Sequence, residues 1–394
     1  MGTEERMAPH GQGRVYLDYA ATTPVDLRVL DALVTAHREL PGNPSSLHAE
    51  GREARAALES ARASVARAIG AAHPDEVAFC GSGTESDNLA VLGIARAAAA
   101  QGRTRRVVVS AFEHPGVLGP AEMLADEGFE VVRVSPTADG VVTVDALAEA
   151  LAGGAALVSV MHANNEIGTV QDIAGLGAAA HAAGAYFHAD CAQSAGKVEI
   201  DVQGAGIDAI SIAGHKIYAP KGIGVLYLRS GTPFDPPVRG GGQEQGRRSG
   251  TPDVAGAVAL AEALRLMDVE RADETPRLQA LRDRVEAELA AHSQPVTVYG
   301  ASARRLPHLT CMGFAGAHAH DIMLHLDEAG FAVSTGSACS SSGGAVSHVL
   351  RAIGAEETVA RGTIRVSLGR MTRAEEIDRF IVALTDTLRL LRSR

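Results

Sequence analysis

From residue 76 onward the chain alternates short runs rich in Val, Ile and aromatic residues with Ala-rich stretches. EVAFC (76–80) precedes a long helical pattern after Thr84. RVVVS (106–110), EVVRVS (130–135), ALVSVM (156–161), AYFHAD (185–190), DAISIA (208–213) and GVLYL (224–228) follow, spaced widely enough for crossover helices. This rhythm predicts an α/β fold with a largely parallel sheet covered by helices on both faces. Ligands of such sheets bind beyond the carboxyl ends of the strands, so the residues just after each run are the ones to inspect.

The Gly- and Pro-rich stretch 232–252 closes this part as a long loop. Beyond it come a charged, helix-patterned segment (254–292), a few short strand candidates, a Ser/Gly-rich loop around Cys339, the strand TIRVSLG and a final amphipathic helix, together read as a second, smaller domain.

The length of 394 residues suits one large and one smaller domain, and 46% hydrophobic against 21% charged residues excludes a disordered chain. A net charge of −11 argues against a nucleic-acid or anionic-membrane binder, because neutralising phosphates takes a dominant cationic face. The four cysteines, Cys80, Cys191, Cys311 and Cys339, lie far apart without a CxxC pair. They suggest reduced thiols and a cytoplasmic protein rather than a disulfide framework or a metal site. The opening MGTEERMAPHGQG has no apolar h-region, and no apolar run nears the length of a membrane span.

Three segments carry candidate chemistry. In FCGSGTESDN (79–88), Ser82 and Glu85 have capping-box spacing, and Gly83 and Thr84 open a helix whose amides can hold an anion. Ordinary capping explains this segment as well as phosphate binding does. In YFHADCAQSAG (186–196), Asp190 ends a strand and Gln193 follows one turn on. A carboxylate there can hold a protonated ring nitrogen or simply cap a helix. In SIAGHKIYAPKGIG (211–224), Lys216 follows a strand among apolar and small residues, which disfavours the ammonium and makes the amine a nucleophile. An isolated lysine is ordinarily a solvated charge, but this chain has only three among 36 basic residues. Lys197 falls in the polar GKVEID stretch and Lys221 in a Pro-Lys-Gly turn.

Phosphate anchor, ring carboxylate and imine-forming lysine come in the order expected of a pyridoxal phosphate enzyme. The chain resembles the cysteine desulfurases of the NifS/IscS-like group within the class V aminotransferases. The resemblance runs from YLDYAATTPVD to TIRVSLGR through GNPSSLHAEG, GSGTESDN, EHPGVL, HANNEIGTVQDI, HADCAQSAGK, GHKIYAPKGIG, GGGQEQGRRSGTP and SGSACSS. It implies PLP fold type I, with a mostly parallel seven-stranded sheet flanked by helices and a smaller α+β domain. The implied large domain spans 15–262, and the small one spans 263–394 joined by residues 1–14.

The resemblance also assigns roles, with pyridoxal 5'-phosphate as cofactor. Lys216 would form the Schiff base and move the Cα proton, and Asp190 would keep the pyridine nitrogen protonated. Gln193 and Asn165 would bond near the ring oxygen, Asn165 also lying close to the substrate carboxylate. His114 would stack on the ring and assist proton transfers. Gly83, Thr84 and His215 would grip the phosphate, helped by Thr251 of a second subunit in a homodimer. Arg365 would clamp the substrate carboxylate. Cys339, in a run with almost no bulky side chain, would accept sulfur from L-cysteine and pass it to an acceptor protein, leaving L-alanine. Cys80, Cys191 and Cys311 sit in apolar strand patterns and read as buried hydrophobes.

The chain departs from the family pattern at Ala213, where a serine is usual, and at Ala345 and Val346, where Glu-Pro is usual. The first removes a phosphate hydroxyl donor, a loss of about 1.5–3 kcal/mol where nothing replaces it. The rival readings are a class V aminotransferase or selenocysteine lyase that needs no mobile cysteine, and a sulfur-relay scaffold without turnover.

Overall fold

A computed structural model, which describes residues 13–292, 295–336 and 346–392, sets the entering strand β1 (Val15–Tyr16) apart from the main sheet. That sheet is built from β2 (Val77–Cys80), β3 (Arg106–Ser110), β4 (Glu130–Val134), β5 (Leu157–Ser159), β6 (Tyr186–Asp190), β7 (Ala209–Ala213) and β8 (Gly224–Leu228). Its order is β2-β8-β7-β6-β5-β3-β4, and every pairing is parallel except the two made by β8. The sheet is therefore the expected seven-stranded, mostly parallel one. Strands β2, β5, β7 and β8 are buried at every position, which is why their sequences read as unbroken apolar runs.

Helices α1 (Leu27–Glu39), α2 (Ala49–Ala68), α3 (Gly83–Ala100), α4 (Pro115–Asp126), α5 (Val144–Ala150) and α6 (Ile173–Ala182) precede the long α7 (Val254–His292). In the sheet layer, Phe79, Val108, Val158, Phe187 and Ile210 form one core with α2 and α7, and α3 and α4 close the opposite face.

A second core gathers around β9 (Val296–Val298), β10 (Leu309–Phe314), β11 (Phe331–Ala332) and β12 (Thr363–Ser367). β10 pairs antiparallel with β9 and β12, whereas β11 pairs parallel with β1. Helices α8 (Ala319–Glu328) and α11 (Ala374–Arg392) cover this core with Ile322, Leu326, Phe380 and Leu384; the short α9 (His348–Ala352) and α10 (Glu357–Ala360) lie between them in sequence. Val15 and Leu17 are buried here. The smaller core thus takes in Val15 and Leu17, past the boundary expected at residue 15; we propose a large part that begins after Leu17 and runs to 262, and a smaller part of 263–394 joined by the N-terminal segment through at least Leu17.

Candidate active site

Parallel strands deliver their following residues to one edge of the sheet. There a cavity of about 570 Å³ is bordered by Gly83, Thr84, His114, Asn165, Asp190, Gln193, His215, Lys216 and Arg365. Nearly all the residues singled out in the sequence are thus brought together. Thr251 is exposed and lies outside this chain's cavity lining, and Cys339 lies outside the described residues.

Ser82 caps α3, accepting from Glu85 N at 3.0 Å. The return half of the capping box is shifted by one residue, because Glu85 accepts from Gly81 N rather than Ser82 N. The amides of Gly83 and Thr84, in the first turn, have no partner within the helix and border the cavity. Ala213 packs beneath Gly83, so closely that a Cβ on Gly83 would stand 2.9 Å from its methyl.

Lys216 ends a single 3-10 turn after β7, and its ammonium donates to the carbonyls of Ala20 and Ala21, each at 2.7 Å. Asp190 is buried and accepts from Ala192 N at 2.8 Å. Burial raises its pKa, opposed by that bond and by His114 and Lys216. Beneath it, the buried Asp87 is raised further by burial and by Asp190. Glu113 is also fully buried and is pushed up to about 8 by burial; it accepts from Ser110 Oγ and Met161 N, and its Oε2 has no partner among the described residues. Asp87 and Glu113 stand inside quoted motifs, but a carboxylate in a motif gives no signal of its burial.

His114 caps α4, its Nδ1 accepting from Gly116 N at 2.9 Å. Burial lowers its pKa, opposed by Asp190 and aided by Lys216 and His348; with Nδ1 accepting from Gly116, the ring carries its proton on Nε2. His215 is lowered to about 4, first by burial, then by Lys216. Asn165 is presented by a turn that the buried Asn164 builds, its Oδ1 accepting from Glu166 N and Ile167 N, with Gly168 at φ 76° completing it. Arg365, on β12, donates to Asp18 Oδ1 at 2.8 Å and to the Asn165 carbonyl at 2.9 Å. The expected carboxylate clamp thus already carries a carboxylate from the N-terminal segment.

Lys197 requires a correction. It is half-buried rather than solvated, and donates to the Lys216 carbonyl at 3.0 Å. Burial, then the Lys216 charge, lowers its pKa to about 7. Cys80, Cys191 and Cys311 are buried, with thiol pKa values raised by burial, as the apolar strand patterns imply. No metal-binding cluster occurs among the described residues.

An open sheet with an amine, a buried carboxylate and an anion-ready helix start converging on one cavity defines a class, and residues 15–380 match the aminotransferase class-V family. The chain belongs to that family. It is 42% identical over 379 residues to the cysteine desulfurase IscS of Dictyoglomus turgidum, covering 96% of this chain and 95% of the relative. Among solved structures, a NifS-like protein aligns with a TM-score of 0.87 at 32% identity, covering 96% of this chain and all of the other. SspA in complex with cysteine aligns at 0.79 and 34% identity, covering 90% of this chain and 98% of the other.

The family implies pyridoxal phosphate, and the residues fit it. The cavity has the volume of a cofactor site. Among the described residues the buried Oε1 of Gln193 on its wall has no partner, and the first amides of α3, unpaired within the helix, suit an anion.

Proposed function

We propose that the chain is a cysteine desulfurase that converts L-cysteine to L-alanine and hands the sulfur to a thiol. The observation that carries this reading is the convergence of Lys216, Asp190, His114, Asn165 and Arg365 on one cavity in a chain of the class V family. The names of its relatives set the substrate: one is a cysteine desulfurase, and another was solved with cysteine.

Gly83, Thr84 and His215 would hold the phosphate of pyridoxal 5'-phosphate, Asp190 and Gln193 would hold its ring, and Lys216 would bind its aldehyde carbon. When bound, the cofactor supplies an electron sink joined to the substrate amino group. Arg365 and Asn165 orient the substrate carboxylate. Lys216 moves the Cα proton, the carbonyls of Ala20 and Ala21 aiming its amine. His114 offers a hydrogen-bond donor, Nε2–H. Cys339 accepts the sulfur, which distinguishes this reading from an aminotransferase or lyase. Thr251 completes the phosphate site of a partner subunit in a homodimer, and a cytoplasmic acceptor protein takes the sulfur. With a net charge of −11, a protein acceptor is favoured over direct contact with nucleic acid.

Incubation of the cofactor-loaded protein with L-cysteine and a reducing thiol tests the reading. Equal yields of alanine and sulfide are expected. Pyruvate and ammonia, or no alanine, would overturn it.

A further inference from the structure

His348, the first residue of α9, borders the same cavity as Lys216 and Arg365. Its Nε2 lies 2.9 Å from the main-chain carbonyl of Glu113. A carbonyl only accepts, so Nε2 carries a proton, and the neutral ring keeps its lone pair on Nδ1.

The neighbouring imidazole is wired the opposite way. The Gly116 amide can only donate, so His114 Nδ1 is its acceptor and Nε2 keeps the proton. Neutral His114 therefore has a donor to offer and no free lone pair. The two rings divide the work: one donates a hydrogen bond, the other can receive a proton.

Sulfur transfer needs such a receiver. A thiol attacks the substrate sulfur only as thiolate, and its proton has to go to a base at the moment of attack. The two carboxyls near this part of the cavity are poor candidates. Glu113 is enclosed and held by Ser110 and Met161 N. Glu166 faces His348 and Arg365 with its pKa raised by burial, opposed by Ser347, His348 and Arg365. Among the described residues, the charged and titratable groups around His348 are His114 and Glu113 before α4, Glu166 after β5, Arg351 on its own helix and Arg365 on β12.

We propose that His348 Nδ1 is the base that takes the thiol proton during sulfur transfer; this rests on the desulfurase reading. The attacking thiol gives its proton to Nδ1, and the pair left on sulfur forms the S–S bond. The C–S bond of cysteine breaks, its electron pair staying on the β-carbon, which takes a proton and becomes the methyl of alanine. The imidazolium, facing Glu166, supplies that methyl proton, and the substrate's own S–H proton stays on the persulfide, so cysteine and thiol yield alanine and persulfide with no oxidant, reductant or net proton change.

The test is a pair of variants in the cofactor-loaded enzyme, with dithiothreitol as final sulfur acceptor. His348→Gln retains an N–H donor for the Glu113 carbonyl and has no base. His348→Asn drops that bond as well. Both are expected to keep the visible spectral change on adding L-cysteine, yet to lose about 100-fold in kcat. In both, free imidazole should restore part of the rate. A Gln variant within threefold of the parent, whether or not the Asn variant is impaired, would mean that only the tie to Glu113 matters and would overturn the role. So would a loss confined to KM. If His348→Gln does not fold, rate and imidazole rescue in His348→Asn decide on the same terms. A parent that makes no alanine from cysteine would sink the desulfurase reading itself, whereas an active parent matched by the Gln variant sinks only the role of His348.

Discussion

Lys197 donates its ammonium to the main-chain carbonyl of Lys216 across 3.0 Å, so two of the chain's three lysines are joined through the backbone. Burial and the second positive charge hold Lys197 at about 7 instead of 10.5. The unfolded chain therefore binds the Lys197 proton more tightly than the folded one. Between about pH 7 and 10.5 this lysine makes stability rise with pH; its full penalty, on the order of a few kcal/mol, applies below that window. Lys197→Met should remove that rise, as measured by denaturant unfolding across the window. A variant with the parent's slope would show that the amine is not depressed.

Lys216 is the residue expected to bind the cofactor covalently, since of the three lysines it alone borders the cavity, while Lys197 lies outside the lining and Lys221 is exposed. After borohydride reduction, peptide mapping should find the cofactor on the Lys216 peptide alone. Lys216→Ala should lose at least about 100-fold in turnover. A label on Lys197 or Lys221 in the parent would redirect the assignment.

Arg365 binds Asp18 and the Asn165 carbonyl through two different nitrogens. Lysine has a single donor atom and cannot serve both while also meeting a substrate carboxylate. Arg365→Lys should raise KM for L-cysteine about tenfold or more, equivalent to ~1.4 kcal/mol or more, with a smaller change in kcat. An unchanged KM would remove Arg365 from the carboxylate site.

Cys80, Cys191 and Cys311 are buried and hard to ionise, which supports Cys339 as the proposed sulfur acceptor. Cys339→Ser should bind the cofactor and respond spectrally to L-cysteine, yet form no protein persulfide and almost no alanine. Cys80→Ala should keep its persulfide. Alanine production near the parent rate in Cys339→Ser would favour the lyase reading.

The strands and most cavity residues were legible because a sheet buried on both faces writes itself as apolar runs, and the chemistry stands just past their ends. The reversal of β8 was less plain, since GVLYL carries no direction. The interval between Ala213 and Gly224 is nevertheless short of the dozen or more residues that a parallel crossover takes. The grip of Ala20 and Ala21 on Lys216 could not be read at all: the acceptors are main-chain oxygens, which any residue has. Lys197 misled for a related reason, because its neighbours in sequence are polar while its neighbours in space are a pocket that includes Tyr19, Met267 and His308.

The segment from Val15 to Ala21 pairs with β11, holds Arg365 through Asp18 and aims Lys216 through two carbonyls. The ribosome makes this segment well before Arg365, which follows Asp18 by 347 positions. A nascent chain can fold its sheet around an early Lys216 yet still lack the carboxylate clamp. A chain that stops short of Arg365 would therefore keep most of the cavity's walls and lack the proposed grip on the substrate carboxylate.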